Sequence, residues 1–123
     1  MIRHLDCATV ERMLRKPVEI DGVGNPCQDV IWGTMSFSLE SGLGAGDMVA
    51  FVGLGMAADM EMEGRLRSIT EDADAGRLPG RVFGLLGSTP VSMCEGIPPD
   101  HYVVASRRSL DGACDCLAVR IRR

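Results

Sequence analysis

The sequence is poor in features that several functional classes require. It contains only one Trp, one Tyr and three Phe, so its core has to be largely aliphatic, with eight methionines available to fill irregular gaps. Lys16 is the only lysine, long basic runs are lacking, and the formal net charge is −4. These features argue against a general nucleic-acid-binding surface.

Segments that direct export or membrane insertion are also lacking. No apolar run approaches the ~20 residues that span a bilayer, and residues 1–6 do not contain the apolar core of a signal peptide. Five cysteines in a chain without an export signal predict a reducing compartment and mostly free thiols. We therefore expect a protein that is not secreted and does not enter a membrane.

The turn-forming residues favour a single β-rich domain that spans residues 1–123. Fifteen Gly and six Pro predict many turns between short elements. A helix is predicted over 6–16, capped by Asp6 and ended by Pro17. We predict a mostly β fold, a small β-barrel or sandwich of about seven short strands with this one N-terminal helix. Strands are predicted at 17–22, 29–39, 47–52, 60–69, 81–86, 91–94 and in the C-terminal segment, while 53–59 is left open, with a loop as one interpretation.

The last stretch, residues 101–123, predicts a half-buried closing β-hairpin. Asp111 and Gly112 stand between two alternating runs and supply the positive φ of a tight turn. Side chains alternate along the second run, which gives it an apolar and a polar face. The apolar face carries Leu117, Val119 and Ile121, and the polar face carries Cys114, Cys116, Arg120 and Arg122.

Three patterns that could carry chemistry each have a plainer interpretation. The glycine-rich stretch 42–46 precedes a predicted strand and lacks a Gly-Lys-Ser/Thr sequence, which favours a flexible connection over a phosphate loop. The two histidines, His4 and His101, stand in no recognisable base motif. We expect no catalytic residue, no cofactor and no bound metal, and hence a protein that is not an enzyme. The four residues considered as zinc ligands have a spacing that matches no usual Cys-x2-Cys pair: Cys94, His101, Cys114 and Cys116.

Two resemblances to bacterial families give alternative functions. Arg12 and Arg15, followed by 29–34, resemble the PilZ signature, which implies a degenerate domain that binds a cyclic dinucleotide through these arginines and Asp29. Residues 34–39, 46–47, 81–87, 101–104 and 109–112 together resemble the bacterial signal peptidase family. Thr34 stands in place of that family's serine nucleophile and Gly80 in place of its lysine base, so this resemblance implies an inactive domain.

A third resemblance rests on the C-terminal segment. Residues 102–104 form a Tyr-x-Val strand start, an Asp-Gly turn follows, and 117–123 is an aliphatic strand with basic residues. This order, with the strand–Asp-Gly–strand unit at 18–32, resembles the small head-completion or head–tail connector proteins of tailed phages. The resemblance implies a non-enzymatic structural protein, located in the virion or in the cytoplasm, that acts through protein–protein packing.

Five arginines make the C-terminal hairpin the one basic locus of an acidic chain. We expect them to contact an acidic surface of a protein partner, in a homo- or hetero-oligomer, rather than a membrane or a nucleic acid. These possible interface residues are Arg107, Arg108, Arg120, Arg122 and Arg123.

Overall fold

Six strands and three α-helices are present in residues 6–69, 78–107 and 116–122, the part of the chain that the computed structural model describes. The helices are α1 (Cys7–Arg12), α2 (Pro26–Ser41) and α3 (Leu54–Glu63), with 3-10 turns at Met13–Arg15 and Ala45–Asp47. The strands are β1 (Val18–Asp21), β2 (Met48–Val52), β3 (Arg81–Leu86), β4 (Thr89–Met93), β5 (His101–Ser106) and β6 (Cys116–Arg122).

These strands form one mixed sheet in the order β1-β6-β5-β2-β4-β3. Strands β1 and β6 pair in parallel, as do β2 and β4, and the other neighbours are antiparallel. Because β1 and β3 remain as the two edges, the sheet is open within the described residues and the fold is mixed α/β. The prediction of a barrel or sandwich of about seven strands is therefore wrong, since segments expected to supply strands are helical.

The segment 29–39, predicted as a strand, lies in α2. Its branched and aromatic side chains favour strands, but such preferences are weak compared with capping and packing. Asn25 caps the helix by accepting a hydrogen bond from the Gln28 backbone N–H at 3.1 Å, and Pro26 occupies the first turn. Gly42 ends the helix in the left-handed region, with φ 75°.

Residues 53–69 also differ from the prediction. Most of them form α3, in which Met60 is fully buried whereas Met62 is 86% exposed. An alternating strand would place both side chains on one face, but residues two apart in a helix point in nearly opposite directions. Beyond the helix, Arg67 forms an isolated bridge with Leu85 on β3 rather than part of a strand.

Two apolar layers cover the sheet, one on each face. Along β2, Met48, Ala50 and Val52 pack in the layer beneath α2 and α3, whereas Val49 and Phe51 pack in the layer beneath α1. All five side chains are buried, as expected for a central strand covered on both faces. The predicted strands at 47–52, 81–86 and 91–94 are confirmed within a residue or two.

The C-terminal hairpin is confirmed as an antiparallel pair of β5 and β6, in which β6 is half-buried as predicted but β5 is almost wholly buried. Strand β5 is buried on both faces. Strand β6 pairs with β5 along one edge and with β1 along the other. Along β6, Val119 and Ile121 are buried and Arg120 and Arg122 are exposed, as the alternation predicts. The turn at 111–112 and Cys114 lie outside the described residues.

The N-terminal helix is confirmed, with α1 continuing into a 3-10 turn before Pro17. As predicted, Asp6 caps it, and its Oδ1 accepts a hydrogen bond from the Thr9 backbone N–H at 2.8 Å. The prediction of mostly free thiols is wrong for Cys7 and Cys94, which form a disulfide that ties α1 to the end of β4. Their side chains belong to the layer beneath α1, where the two Cα atoms lie 5.6 Å from each other.

Candidate interaction surface

The outward face of α2 carries a largely apolar strip that the prediction of a strand at 29–39 does not reveal. Gln28, Trp32, Met35 and Leu39 follow one another at helical spacings of four, three and four residues, and we call them the α2 ridge. The exposed fractions of the last three are 42%, 62% and 87%. A surface helix usually presents polar side chains to solvent, so this strip is a candidate contact surface.

The opposite face of α2 explains why the ridge must point outward. Val30 and Phe37 are buried in the apolar layer, and Gly33 faces the ring of Tyr102 on β5. A Cβ built on Gly33 would lie 2.5 Å from both Cε2 and the hydroxyl oxygen of Tyr102, so only a residue without a side chain fits. The helix is therefore held against the sheet in one rotational setting.

A cavity lies at each end of the ridge. Near the C-terminal end of α2, a cavity of about 260 Å³ contains ridge residues Met35 and Leu39 in its lining. Near the N-terminal end, a second cavity of about 340 Å³ is formed between β1 and α2. We call the second one the N-terminal cavity, and its lining consists of Ile20, Asp21, Val23, Gln28, Asp29 and Trp32.

Asp29 is the unusual member of the N-terminal cavity, because it is a carboxylate with only 2% of its surface exposed. Its Oδ1 accepts a hydrogen bond from the Val23 backbone N–H at 3.1 Å. Its Oδ2 is buried and has no hydrogen-bond partner among the residues described. A buried charged oxygen that lacks a donor is costly, and such groups are usually paired.

Tyr102 fixes the backbone at this position. Its hydroxyl donates to the carbonyl oxygen of Asp29 at 2.5 Å, which joins the central strand β5 to the first turns of α2. Burial raises the pKa of the Tyr102 hydroxyl well above its usual range, and the charge of Asp29 raises it further. The hydroxyl therefore remains protonated and acts as a donor at neutral pH.

Of the five arginines predicted to form an interface, three lie in the described residues. Arg120 Nη1 is 3.4 Å from Glu19 Oε1, and Arg122 lies 3.7 Å from Glu19 Oε2 and 3.2 Å from Asp21 Oδ1. Arg107 donates to the backbone oxygen of Gly46 at 3.1 Å. Arg108 and Arg123 lie outside the described residues. Arg120 and Arg122 on β6 thus pair with carboxylates on β1, and Asp21, which pairs with Arg122, also lines the N-terminal cavity.

Within residues 6–69, 78–107 and 116–122, the other candidate residues are not assembled into a site. Cys94 forms a disulfide with Cys7, so its sulfur is not a thiolate ligand. His101 Nδ1 lies 2.9 Å from the Pro99 carbonyl oxygen. Over the ranges that the structure describes, no group of three or more potential metal ligands occurs. Asp29, which the PilZ resemblance assigns to binding of a cyclic dinucleotide, lies in helix α2. The 42–46 stretch follows that helix and leads into β2.

None of the helices in the described part of the chain combines the length and the apolar character needed to cross a bilayer. Comparison with protein-family models, with curated proteins and with solved structures gives no match for this chain.

Proposed function

We propose that this chain is a non-enzymatic structural or assembly protein that acts by packing against other protein chains, and that the α2 ridge is its packing surface. The observation that carries the proposal is the exposure of Trp32, Met35 and Leu39 on one face of one helix. The resemblance of the C-terminal segment to head–tail connector proteins supports the finer form of the proposal, a component of a phage particle.

The chemistry of the ridge suits a protein partner. Complete burial of a Leu or Met side chain stabilises an association by roughly 1.5–3 kcal/mol, and Leu39 and Met35 are both largely exposed. Trp is enriched among the residues that dominate binding energy, and Met adapts its shape to the surface opposite. Gln28, at the end of the ridge, supplies a polar group of the kind found at the rim of an interface.

The test is the molar mass of the chain, measured by light scattering over a range of concentrations. We expect the native chain to exceed its monomer mass of 13.2 kDa as the concentration rises. The double variant Met35→Gln/Leu39→Gln should remain closer to the monomer mass, because two apolar contacts are lost while the buried face of α2 is unchanged.

A matched control is Met62→Gln on α3. Met62 is 86% exposed, nearly the same as Leu39 at 87%, but it lies on another helix. Its replacement should leave the mass profile of the native chain unchanged. If the double variant and the native chain have the same mass at every concentration, the α2 ridge is not the packing surface.

A further inference from the structure

The edge strand β1 leaves one side of its backbone unpaired. Gly22, which follows β1, donates from its backbone N–H to the Arg122 carbonyl oxygen at 2.8 Å. Because successive residues of a strand direct their backbone groups to opposite edges, Ile20 also faces β6, whereas Glu19 and Asp21 direct theirs away from the sheet. Within the described residues, the N–H and C=O groups of Glu19 and Asp21 have no hydrogen-bond partner. They are a template for one more strand.

The opposite edge of the sheet is less accessible. Arg67 exchanges two backbone hydrogen bonds with Leu85 on β3, at 2.8 and 3.0 Å, and so covers part of that edge. Three of the four residues of β1 are exposed, whereas Arg81 is the only exposed residue of β3. Among the described residues, β1 therefore offers the open edge.

The two faces of β1 differ in chemistry. Ile20 packs in the apolar layer beneath α2, and Val18 shares its face with an exposed fraction of 46%. Glu19 and Asp21 lie on the other face, with side chains that are 45% and 85% exposed. Same-face side chains on adjacent strands contact each other, so an added strand should place apolar groups on the first face and cations on the second.

Strand β6 shows that β1 pairs with this pattern. In their parallel register, Val119 and Ile121 lie opposite the apolar residues of β1, and Arg120 and Arg122 lie opposite the carboxylates. Asp21 keeps 85% of its side chain exposed although Arg122 Nη2 lies 3.2 Å from its Oδ1. A carboxylate accepts several hydrogen bonds, so Asp21 can contact a second cation from the free edge.

A second copy of β1 is not the strand that this edge favours. Two β1 strands paired antiparallel about Ile20 would place Glu19 of each copy opposite Asp21 of the other. Like charges directly opposite each other destabilise a strand pair. Charge complementarity therefore favours a different, basic strand.

We propose that the free edge of β1 pairs with an extended segment of a partner protein in which apolar residues alternate with arginine or lysine. The backbone of the segment forms hydrogen bonds with Glu19 and Asp21, and its cations face the carboxylates of the same two residues. Its apolar side chains lie beside Val18 and Ile20. This inference rests on the proposed function, because it gives an assembly protein a second contact surface, separate from the exposed side chains of Met35 and Leu39.

The probe is the acetylated hexapeptide amide Leu-Ala-Val-Arg-Ile-Arg, which repeats residues 117–122 of β6. Hydrogen exchange of the full chain, followed by nitrogen-15 NMR, measures its effect on single backbone N–H groups. Saturating peptide should slow exchange at Glu19 and Asp21 at least about fivefold, because their outward N–H groups become hydrogen-bonded. Exchange at Ile20 and Gly22, which already face β6, should change less than about twofold. Equal changes at all four residues, or no change at any, would overturn the proposal.

N-methylated peptides separate strand pairing from general attraction between charges. Only every second N–H of an added strand faces β1, so methylation should matter at one alternate set of positions and not at the other. One peptide is methylated at valine and isoleucine, and another at both arginines. One of the two should bind at least about tenfold more weakly than the unmodified peptide, and the other within about twofold. Equal affinities of the two methylated peptides would overturn the proposal.

Two double variants test the carboxylates of β1. Glu19→Gln/Asp21→Asn should bind the hexapeptide at least about fivefold more weakly than the native chain, because two opposite-charge contacts are lost. Asp59→Asn/Glu61→Gln is the matched control, since it removes the same two kinds of charge from exposed positions on α3. It should change the affinity by less than about twofold. Equal affinities in the two double variants would contradict the proposal.

The peptide measurements are independent of the mass measurement that tests the α2 ridge. The hexapeptide should bind Met35→Gln/Leu39→Gln as it binds the native chain, and loss of peptide binding in this variant would overturn the assignment to β1. Absence of peptide binding in the native chain would overturn this inference alone. An unchanged molar mass in Met35→Gln/Leu39→Gln, with peptide binding retained, would overturn the α2 ridge and support β1.

Discussion

The hydroxyl of Tyr102 donates to the backbone carbonyl of Asp29 at 2.5 Å, and this contact joins the middle of the sheet to the helix that carries the candidate site. Tyr102 is fully buried, and its ring lies directly over Gly33, one helical turn after Asp29. The position of the α2 ridge and the shape of the N-terminal cavity therefore depend on how closely β5 and α2 approach each other at these residues.

The close approach predicts that Gly33→Ala destabilises the fold. The added methyl group would lie 2.5 Å from two atoms of the Tyr102 ring system, so either the ring or the helix must shift. We expect a loss of about 1–3 kcal/mol in the free energy of unfolding, as is usual for overpacking in a core. Urea titration followed by circular dichroism measures the change.

Gly55→Ala in α3 is the matched control, since a Cβ at Gly55 meets no atom within 4 Å. This variant should be more stable than the native chain by about 0.5 kcal/mol, because alanine restricts the unfolded chain more than glycine does. If both substitutions change stability by the same amount, the contact between Gly33 and Tyr102 does not limit the packing of α2.

The central strands could be predicted from the sequence because their signals are local. Residues 47–52 and 81–86 are short apolar runs bounded by glycines, a pattern that fits buried strands. The order of the strands could not be predicted in the same way. The parallel pairing of Val18 with Val119 joins residues that lie almost at opposite ends of the chain, and no local pattern encodes such a contact.

The candidate site was predicted only in part. The exposure of Arg120 and Arg122 follows from simple alternation along β6, and the structure confirms it. The ridge does not follow from local preference, because the branched and aromatic residues at 29–39 favour a strand. The opposing helix signals are the Asn25-Pro26 start and the helical spacing of Trp32, Met35 and Leu39. No sequence pattern shows that Asp29 is buried, because its burial depends on the position of α2 against β1 and β5.

The disulfide between Cys7 and Cys94 predicts a redox-dependent stability. The disulfide links two residues that are 87 positions apart in the sequence, and it holds α1 against one face of the sheet. Reduction should lower the free energy of unfolding by about 2–4 kcal/mol, mainly because the unfolded chain regains freedom. Urea titration with and without a reductant measures the effect.

The Cys7→Ala variant provides the control for this experiment. Without reductant, its free energy of unfolding should be lower than that of the native chain. Addition of reductant should not lower this free energy further. Mass spectrometry of non-reduced tryptic peptides should show the link between Cys7 and Cys94 in the native chain. Equal unfolding midpoints for the native chain with and without reductant would contradict a stabilising disulfide.

Two buried groups predict a loss of stability at alkaline pH. Burial, followed by the hydrogen bond and the charge of Glu63, raises the pKa of the Cys27 thiol from 9.0 to about 12. Burial and the charge of Asp29 raise the pKa of Tyr102 above its ordinary value of 10.0. Both groups are neutral when protonated, and their contribution to stability is complete below the unfolded pKa values.

As the pH rises above 9, the unfolded chain releases the Cys27 proton while the folded chain retains it, so the free energy of unfolding should fall up to about pH 12. The contribution of Tyr102 should begin to fall above pH 10. Urea midpoints measured between pH 8 and pH 11 test this pattern. In Cys27→Ala the decline between pH 9 and pH 10 should be shallower than in the native chain, and equal slopes would contradict the assignment to Cys27.

The basic residues of β6 predict an effect of charge reversal on association. Arg120 and Arg122 lie directly opposite Glu19 and Asp21 in the register of β6 and β1. The side chains of the two arginines are more than half exposed, at 55% and 57%, so these ion pairs contribute little to folding. In Arg120→Glu/Arg122→Glu, repulsion across the strand pair should cost about 1 kcal/mol and leave the monomer folded. If these arginines meet an acidic partner surface, the association measured by light scattering should weaken.

A charge exchange separates partner contact from pairing within the chain. The variant that also carries Glu19→Arg and Asp21→Arg restores opposite charges across β1 and β6 and returns the net charge to its native value. Association that remains weak in this variant shows that the partner contacts the arginines at their native positions, because the intrachain pairing is intact. Association that recovers shows instead that the partner responds to the net charge of the strand pair, since its sum is restored while the individual positions are exchanged. Undiminished association in Arg120→Glu/Arg122→Glu, with circular dichroism unchanged, would remove this part of β6 from any interface.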